Sequence, residues 1–303
     1  MSLQLVMKTI RRHESARVGL LLVAPALVIL LVFQVLPVFY TLRLSMAEGP
    51  GFQTTGFVGL ENYNRLFTDL KFLNLASFPP KGALMTSIQW MVFAVPSVIL
   101  IGLVVALAAD RSRFESLIRG AFFLPMVISG TVIGIIWLFM FAPNPDVGLL
   151  NAMTGGTQSW LGNPSTVNPA LMGAWVWGQT GMSVVIIAAA LKGISVDMIE
   201  AARVDGANGW QLFWRITLPS IRTPLAFLLT TQMVQVLKVF DVVFVMTGGG
   251  PAGLSRTLAV FFYEQTFVSL NPQYAAAIVV IMSLLILLAF RITRKVGEED
   301  SND

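Results

Sequence analysis

The sequence predicts an all-α membrane protein with six transmembrane helices, and three observations carry that expectation. Charged residues make up only 12% of the 303-residue chain, against roughly a quarter in ordinary soluble domains. Hydrophobic residues reach 55%, and the mean hydropathy is +0.75. The apolar residues also fall into long uncharged runs, from which a water-facing surface could not be built. The net charge of +4 and a pI near 9.6 do not indicate nucleic acid, because the basic residues sit in short clusters between apolar runs rather than in a stripe. The chain has no cysteine, which excludes disulfides, thiolate nucleophiles and cysteine metal sites.

A helix needs about 20 apolar residues to cross roughly 30 Å of hydrocarbon. Six segments qualify: 18–40, 85–109, 120–142, 170–191, 225–246 and 274–290. The last is the shortest and the fifth is the most polar. Lys8, Arg11, Arg12 and Arg17 precede the first, as they would a secretory signal. Its 23-residue apolar stretch is too long for a signal core, and no small-x-small cleavage site follows. It is read as a retained anchor.

Lys and Arg set the orientation. Fourteen of the 20 lie in the amino tail, the turn between spans two and three (Arg111, Arg113, Arg119), the loop between spans four and five (Lys192, Arg203, Arg215, Arg222) and the carboxyl tail (Arg291, Arg294, Lys295). Five lie on the other side (Arg43, Arg65, Lys71, Lys81, Arg256), and Lys238 falls within a span. Both termini are therefore expected in the cytoplasm. The domain organisation reads as a cytoplasmic amino tail (1–17), one six-span domain (18–293) with a cytoplasmic loop at 192–222, and a cytoplasmic carboxyl tail (294–303). The external loop 41–84 is long and mixed, and 143–169, rich in Gly, Asn and Pro, reads as turns without regular structure.

The loop after span four carries the strongest signal. Ser195 is placed to cap a short amphipathic helix with Asp197 in its first turn, and Gly206 is placed to end it. A second short turn, 210–216, presents Trp210, Phe213 and Trp214, and Pro219 ends it and starts the return into the membrane. Apolar side chains exposed in this way are costly unless a partner covers them. Glu200-Ala201-Ala202, Asp205-Gly206 and Ile216-x-Leu218-Pro219 reproduce the spacing of the EAA loop and resemble the permease subunits of ABC importers. The resemblance implies a type I ABC importer transmembrane domain. It also implies that Glu200, Ala201, Ala202, Asp205, Gly206, Trp210, Ile216, Leu218 and Pro219 form the element that docks on a separate ATPase. There the acidic residue can pair with a basic one, and the alanines and glycine keep the helix thin.

Further stretches resemble the sugar branch, and in particular the first membrane subunit of maltose- and glycerol-phosphate-type importers. They are Phe57-Val-Gly-Leu-Glu-Asn-Tyr63, Leu124-Pro125, Gly148-Leu-Leu-Asn151, Trp160-Leu161 and the run from Val239 to Pro251. The chain departs from the maltose subunit in having six spans and no large external domain. The resemblance implies a second permease of similar build, a pair of ATPase subunits, an external solute-binding protein and a sugar as substrate. It places the complex in a bacterial or archaeal cytoplasmic (inner) membrane. ATP and Mg would be bound by the ATPase subunits and no cofactor by this chain. The glycines of 248–253 have the spacing of a phosphate loop, but Leu254 stands where its lysine must be. They read instead as a flexible exit from span five.

Polar groups inside spans default to function. Gln232, Gln235, Lys238 and Asp241 recur every third residue in span five, and Lys238 and Asp241 are placed to pair at i, i+3. Amides suit sugar hydroxyls because they both donate and accept. Trp175, Trp177 and Gln179 in span four add aromatic faces and one more amide. The candidate pathway set is therefore Trp177, Gln179, Gln232, Gln235, Lys238 and Asp241, against the alternatives of interface anchoring for the tryptophans and helix–helix hydrogen bonding for the glutamines. No carboxylate pair, metal constellation or nucleophile–base arrangement points to catalysis. The competing functions are a stand-alone secondary transporter or channel, for which neither an ion site nor an internal repeat is seen, and an ABC permease for a non-sugar solute.

Overall fold

The computed structural model describes residues 21–110 and 112–298, so the amino tail, Arg111 and residues 299–303 lie outside the described residues. α1 (Leu21–Ser45) is the first candidate span and is peripheral: none of its residues before Ser45 is buried, and its main packing partner among the spans is the last helix. A π turn (Leu31–Val35) interrupts it two residues before Pro37. A wide turn there relieves the missing N–H and the clash of the proline ring with the preceding turn.

The segment between spans one and two has structure of its own. β1 (Ala47–Glu48) and β2 (Gly56–Phe57) form a two-stranded antiparallel ribbon with Ala47 opposite Phe57, and α2 (Glu61–Thr68) follows. The Asn62 amide donates to the carbonyls of Ser45 and Ala47 at 3.0 and 2.9 Å, which pins α2 to the end of α1. α3 (Ala83–Asp110) is the second span.

The third apolar run, expected to be one continuous span, is instead two helices, α4 (Glu115–Val127) and α5 (Gly130–Met140), bent by 103°. Ile128 is extended, and Ser129 caps α5 by accepting the Val132 N–H. A serine followed by glycine is a helix-start signal, but within an uninterrupted apolar run it leaves the hydropathy unchanged. The loop 143–169, expected to lack regular structure, contains α6 (Leu149–Thr154). Buried Asn151 organises it, donating to the carbonyls of Ala142 and Gln158 at 2.9 Å each and accepting from the Gln158 N–H and the Trp160 indole at 3.1 Å each.

α7 (Val167–Lys192) is the fourth span. After it come α8 (Val196–Val204) and α9 (209–220), and span five consists of α10 (Arg222–Leu237) and α11 (Asp241–Thr247). The glycine run after α11, expected to be flexible, is a pinned turn. Ser255 donates to the Gly250 carbonyl at 2.5 Å and shares a 2.9 Å bond with Thr247, and the Thr257 hydroxyl donates to the Val239 carbonyl at 2.9 Å. It leads into α12 (Leu258–Val268), an apolar helix too short to span. α13 (Pro272–Glu298) is the last helix. Its apolar span, Pro272–Thr293, is the shortest of the candidate spans, as expected, and the helix continues beyond it to Glu298.

Packing centres on α7, which α3 and α4 flank, while α10 lies between α3 and α13. One core joins Trp90, Val98, Leu171, Trp175, Val236 and Val243. A second joins Phe72, Leu237, Phe261 and Tyr274, and a third Leu103, Ile187, Ile221 and Leu228. Lipid tails give apolar helices little reason to associate, so close approach through small residues does that work. A Cβ at Gly181 of α7 would lie 2.5 Å from the Phe122 carbonyl oxygen and 2.9 Å from the Phe123 Cα, and one at Gly102 would lie 2.6 Å from the Ser183 Cβ. Gly173 on the same helix α7 faces open space. Gly181→Ala should therefore destabilise the purified protein by about 1–3 kcal/mol, as overpacking does. Gly173→Ala should be neutral or slightly stabilising. Thermal unfolding in detergent compares the two, and equal effects would refute this account of the α4–α7 contact.

Candidate functional site

Two irregularities of the backbone meet inside the bundle. Between α10 and α11 the chain leaves the helix: Lys238 caps α10 with φ −97° and ψ 7°, and Phe240 precedes α11 with φ −128° and ψ −60°. This interruption faces the α4–α5 break, and together they line a cleft of about 190 Å³ with Met126, Ile128, Gly130, Trp175, Gln179, Gln235, Lys238, Phe240 and Asp241 among its walls. Non-helical backbone at membrane depth is tolerated where it lines a cavity.

Four of the six candidate pathway residues, Gln179, Gln235, Lys238 and Asp241, therefore converge. Two do not. Gln232 is fully buried and lies outside the cleft walls. It lies one helical turn before Gln235 on the same continuous helix, packed among its neighbours short of the cleft. Trp177 stands edge-on to Trp137 at 5.9 Å, away from the cleft. Trp175 instead lines the cleft while packing on Trp90 at 6.2 Å. The expected Lys238–Asp241 pair does not form. Spacing of i, i+3 brings side chains together only on a continuous helix, and this helix stops at Leu237. Asp241 stands instead over the start of α5, where a Cβ on Gly130 would come 3.0 Å from its Oδ2. The unsatisfied N–H groups of that first turn favour a negative charge. Ile128, Gly130 and Phe240 were not singled out from the sequence. The signal that could have found them is the Ser129-Gly130 helix start.

The second site lies at the end of the bundle where α7 emerges. α8 starts at Ser195, which has the extended backbone of a cap but makes no side-chain capping bond, contrary to expectation. Gly206 ends α8 with φ +85°, a value costly for other residues. The Gly206 N–H donates to the Arg203 carbonyl at 3.0 Å and the Ala207 N–H to that of Ala202 at 2.9 Å. Asn208 and Gln211 then form a reciprocal capping box at 2.9 Å each that starts α9. Pro219 does not end this helix, as the sequence had suggested. It sits two residues past a π turn (Phe213–Thr217), as Pro37 does in α1, and the break falls at Ile221.

Glu200, Ala201, Asp205, Trp210 and Pro219 are exposed, and Ala202, Ile216 and Leu218 are half-buried. Between α8 and α9 runs a groove of about 310 Å³ lined by Ala202, Asp205, Gly206, Ala207, Gln211, Arg215 and Ile216. Its rims carry apolar side chains in the open, with Val204 87% and Trp210 71% exposed.

Residues 98–297 match the family described as the binding-protein-dependent transport system inner membrane component. That stretch contains both the cleft and the exposed loop. The chain belongs to this family. The permease is 39% identical to the osmoprotective compounds uptake permease protein GgtC of Synechocystis sp., over 88% of this chain and 93% of that one. It is 36% identical to the alpha-glucoside transport system permease protein AglF of Rhizobium meliloti, over 92% of this chain and 82% of that one. In fold it matches a subunit of a bacterial ABC transporter involved in the import of the acidic polysaccharide alginate. The TM-score is 0.75 at 20% identity, over 97% of this chain and 99% of that one. A second structure of the alginate transporter, in complex with an alginate pentasaccharide-bound periplasmic protein, matches with a TM-score of 0.74 at 21% identity, over 96% of this chain and 98% of that one. The permease is thus a multi-pass inner-membrane protein with the type I importer fold. A stand-alone secondary transporter or channel is not supported.

One ion pair links the loop to the cleft. Lys192, in the last turn of α7 and four residues ahead of α8, reaches Glu115 at the start of α4 at 2.8 Å, and Arg119 pairs with the same carboxylate. α4 ends at the cleft. The pair thus ties the start of α4 to the end of α7, from which α8 follows. Glu115→Lys and Lys192→Glu should each reduce transport by the reconstituted importer, and the double exchange should restore most of it. Loss that the exchange does not rescue would remove the pair from the link.

Proposed function

We propose that this permease forms half of the translocation pathway of an ATP-driven, binding-protein-dependent importer of sugars or oligosaccharides. Its partners would be a second permease of similar build, a pair of ATPase subunits that hold ATP and Mg, and an extracytoplasmic solute-binding protein. The observation that carries the reading is the exposed apolar loop of α8 and α9, at the opposite end of the bundle from the pinned glycine turn. A surface bearing Val204 and Trp210 in the open needs a covering partner, and its Glu200–Pro219 spacing is that of the EAA loop. Support for the sugar comes from the relatives, which include an alpha-glucoside permease and a trehalose/maltose permease. The amides of Gln179 and Gln235 beside the Trp175 ring suit a polyhydroxylated ring with apolar C–H faces. In this reading, closure of the ATPase dimer moves α8 and switches the cleft from inward- to outward-facing, with both termini in the cytoplasm.

Gly206→Arg and Glu200→Lys should uncouple transport from ATP hydrolysis while leaving membrane insertion intact. Gly206 combines a positive φ with a position on the docking face, so a long side chain both strains the turn and holds the two surfaces apart. A broken, desolvated charge pair at an interface costs on the order of 2–5 kcal/mol, and reversal at Glu200 should cost at least as much if it meets a basic partner. The readouts are sugar uptake, stimulated ATPase activity and co-purification of the ATPase in the reconstituted complex. Normal values for both variants would remove the loop from its coupling role.

Orientation is tested by labelling single cysteines in a chain that has none. Ser195→Cys should react with an impermeant maleimide only after the cells are opened, and Ser165→Cys should react in intact cells. The reverse pattern would invert the topology.

A further inference from the structure

Ring contacts continue outward from the cleft wall at Phe240. Phe240 stacks on Phe244 with ring centroids 4.8 Å apart, and both rings contact Tyr263, at 5.1 and 4.9 Å. Tyr263 contacts Phe267 at 5.2 Å. The result is a continuous row of four rings that starts in the wall of the cleft and runs along α11 and α12 to the exposed end of α12. Phe244 is 39% and Phe267 56% exposed.

Two backbone irregularities build this row. The break between α10 and α11 presents Phe240, and a π turn (Glu264–Val268) beginning immediately after Tyr263 sets the position of Phe267. π turns inside helices cluster at functional sites. The row leads away from the end bearing α8 and α9, because α12 passes into α13 beside Gln273, which holds the carbonyls of Gly51 and Gln53 at 3.0 and 2.7 Å. Tyr263 is half-buried, and its hydroxyl makes no hydrogen bond within the described residues, leaving it available to a passing hydroxyl group.

We infer that Phe244, Tyr263 and Phe267 extend the cleft as a series of ring-stacking steps, on which the apolar C–H face of a sugar rides between the binding-protein side and the polar groups around Gln179 and Gln235. The inference rests on the sugar reading above. An aromatic face attracts each C–H face with little regard to which hydroxyls the sugar carries. Successive faces at about 5 Å spacing let one contact form as the previous one is released. A row serving only as a lipid anchor would need no continuity with the polar cleft.

The test uses the complete importer, with its partner permease, ATPase pair and solute-binding protein, in proteoliposomes. Radiolabelled maltose, trehalose and maltotriose are the probes. Phe244→Leu, Tyr263→Leu and Phe267→Leu keep apolar bulk but remove the ring, and Trp at the same positions restores one. Each Leu variant should carry the accepted probe about three- to tenfold more slowly, and each Trp variant should recover most of the rate. Subunit co-purification and ATPase stimulation by the binding protein should stay unchanged throughout. Wild-type uptake by the Leu variants, Trp variants no better than Leu, or loss of the partner permease from the complex would each overturn the row while leaving the sugar reading intact. A wild-type complex that carries none of the three probes would overturn the sugar reading and the row with it.

Discussion

The close crossing of α7 with its neighbours is the constraint on which the rest of this bundle depends. In water, burial of apolar surface would drive these helices together. In lipid that term nearly vanishes, and contact has to come from packing and from the few polar groups that find partners. α7 meets α4 where Gly181 lies against the backbone at Phe122, and meets α3 where Gly102 lies against Ser183. With α7 held at that distance, α3 and α10 close around the buried core of Trp90, Val98, Trp175 and Val236. α1 takes no part in this, which explains why its surface remains open to lipid or to another subunit.

The interior position of α7 also determines where the helices break. An interrupted helix in hydrocarbon leaves carbonyls and N–H groups unpaired, and the bilayer offers them nothing. Both interruptions that line the cleft, at Ile128–Ser129 and at Lys238–Phe240, face the same cavity beside α7. They bring together the start of α5, Asp241 and Lys238. Had Lys238 and Asp241 stayed on one continuous helix they would have neutralised each other. The break frees both for the cleft and gives Asp241 the first turn of α5 as its counterpart. The same economy shows at the two π turns that precede Pro37 and Pro219, where one wide turn keeps a helix running past a residue that would otherwise stop it.

The cleft and the exposed loop are connected through α4 and α7. α8 begins four residues after Lys192, Lys192 holds Glu115, and α4 runs from that contact to the cleft. In the proposed importer, a helix tied at one end to the exposed loop and broken at the other end beside the cleft is suited to convert a push into a change of access. This requires two arrangements of a packed interface rather than continuous bending.

Much of this was legible in the residues themselves. Long uncharged runs determined the solvent and the number of crossings, because a buried backbone without water has few solutions. The Lys and Arg asymmetry supplied an expected orientation, and the spacing from Glu200 to Pro219 located the exposed loop proposed to dock on the ATPase, since a thin helix ending in a left-handed glycine is a local property. The glutamines, Lys238 and Asp241 singled out span five because polar groups in a membrane are costly wherever they sit. Which of them share a cleft was decided only by the tertiary structure. Hydropathy averages over a window and does not register a 103° bend, so α4 and α5 read as one span. Helical spacing paired Lys238 with Asp241, but that spacing holds only while the helix continues, and it stops at Leu237. Gln232 stays on the helix with Gln235, and only packing decides that it is buried short of the cleft. The row from Phe240 to Phe267 joins residues 27 positions apart on two helices, and no local pattern in the sequence encodes that meeting.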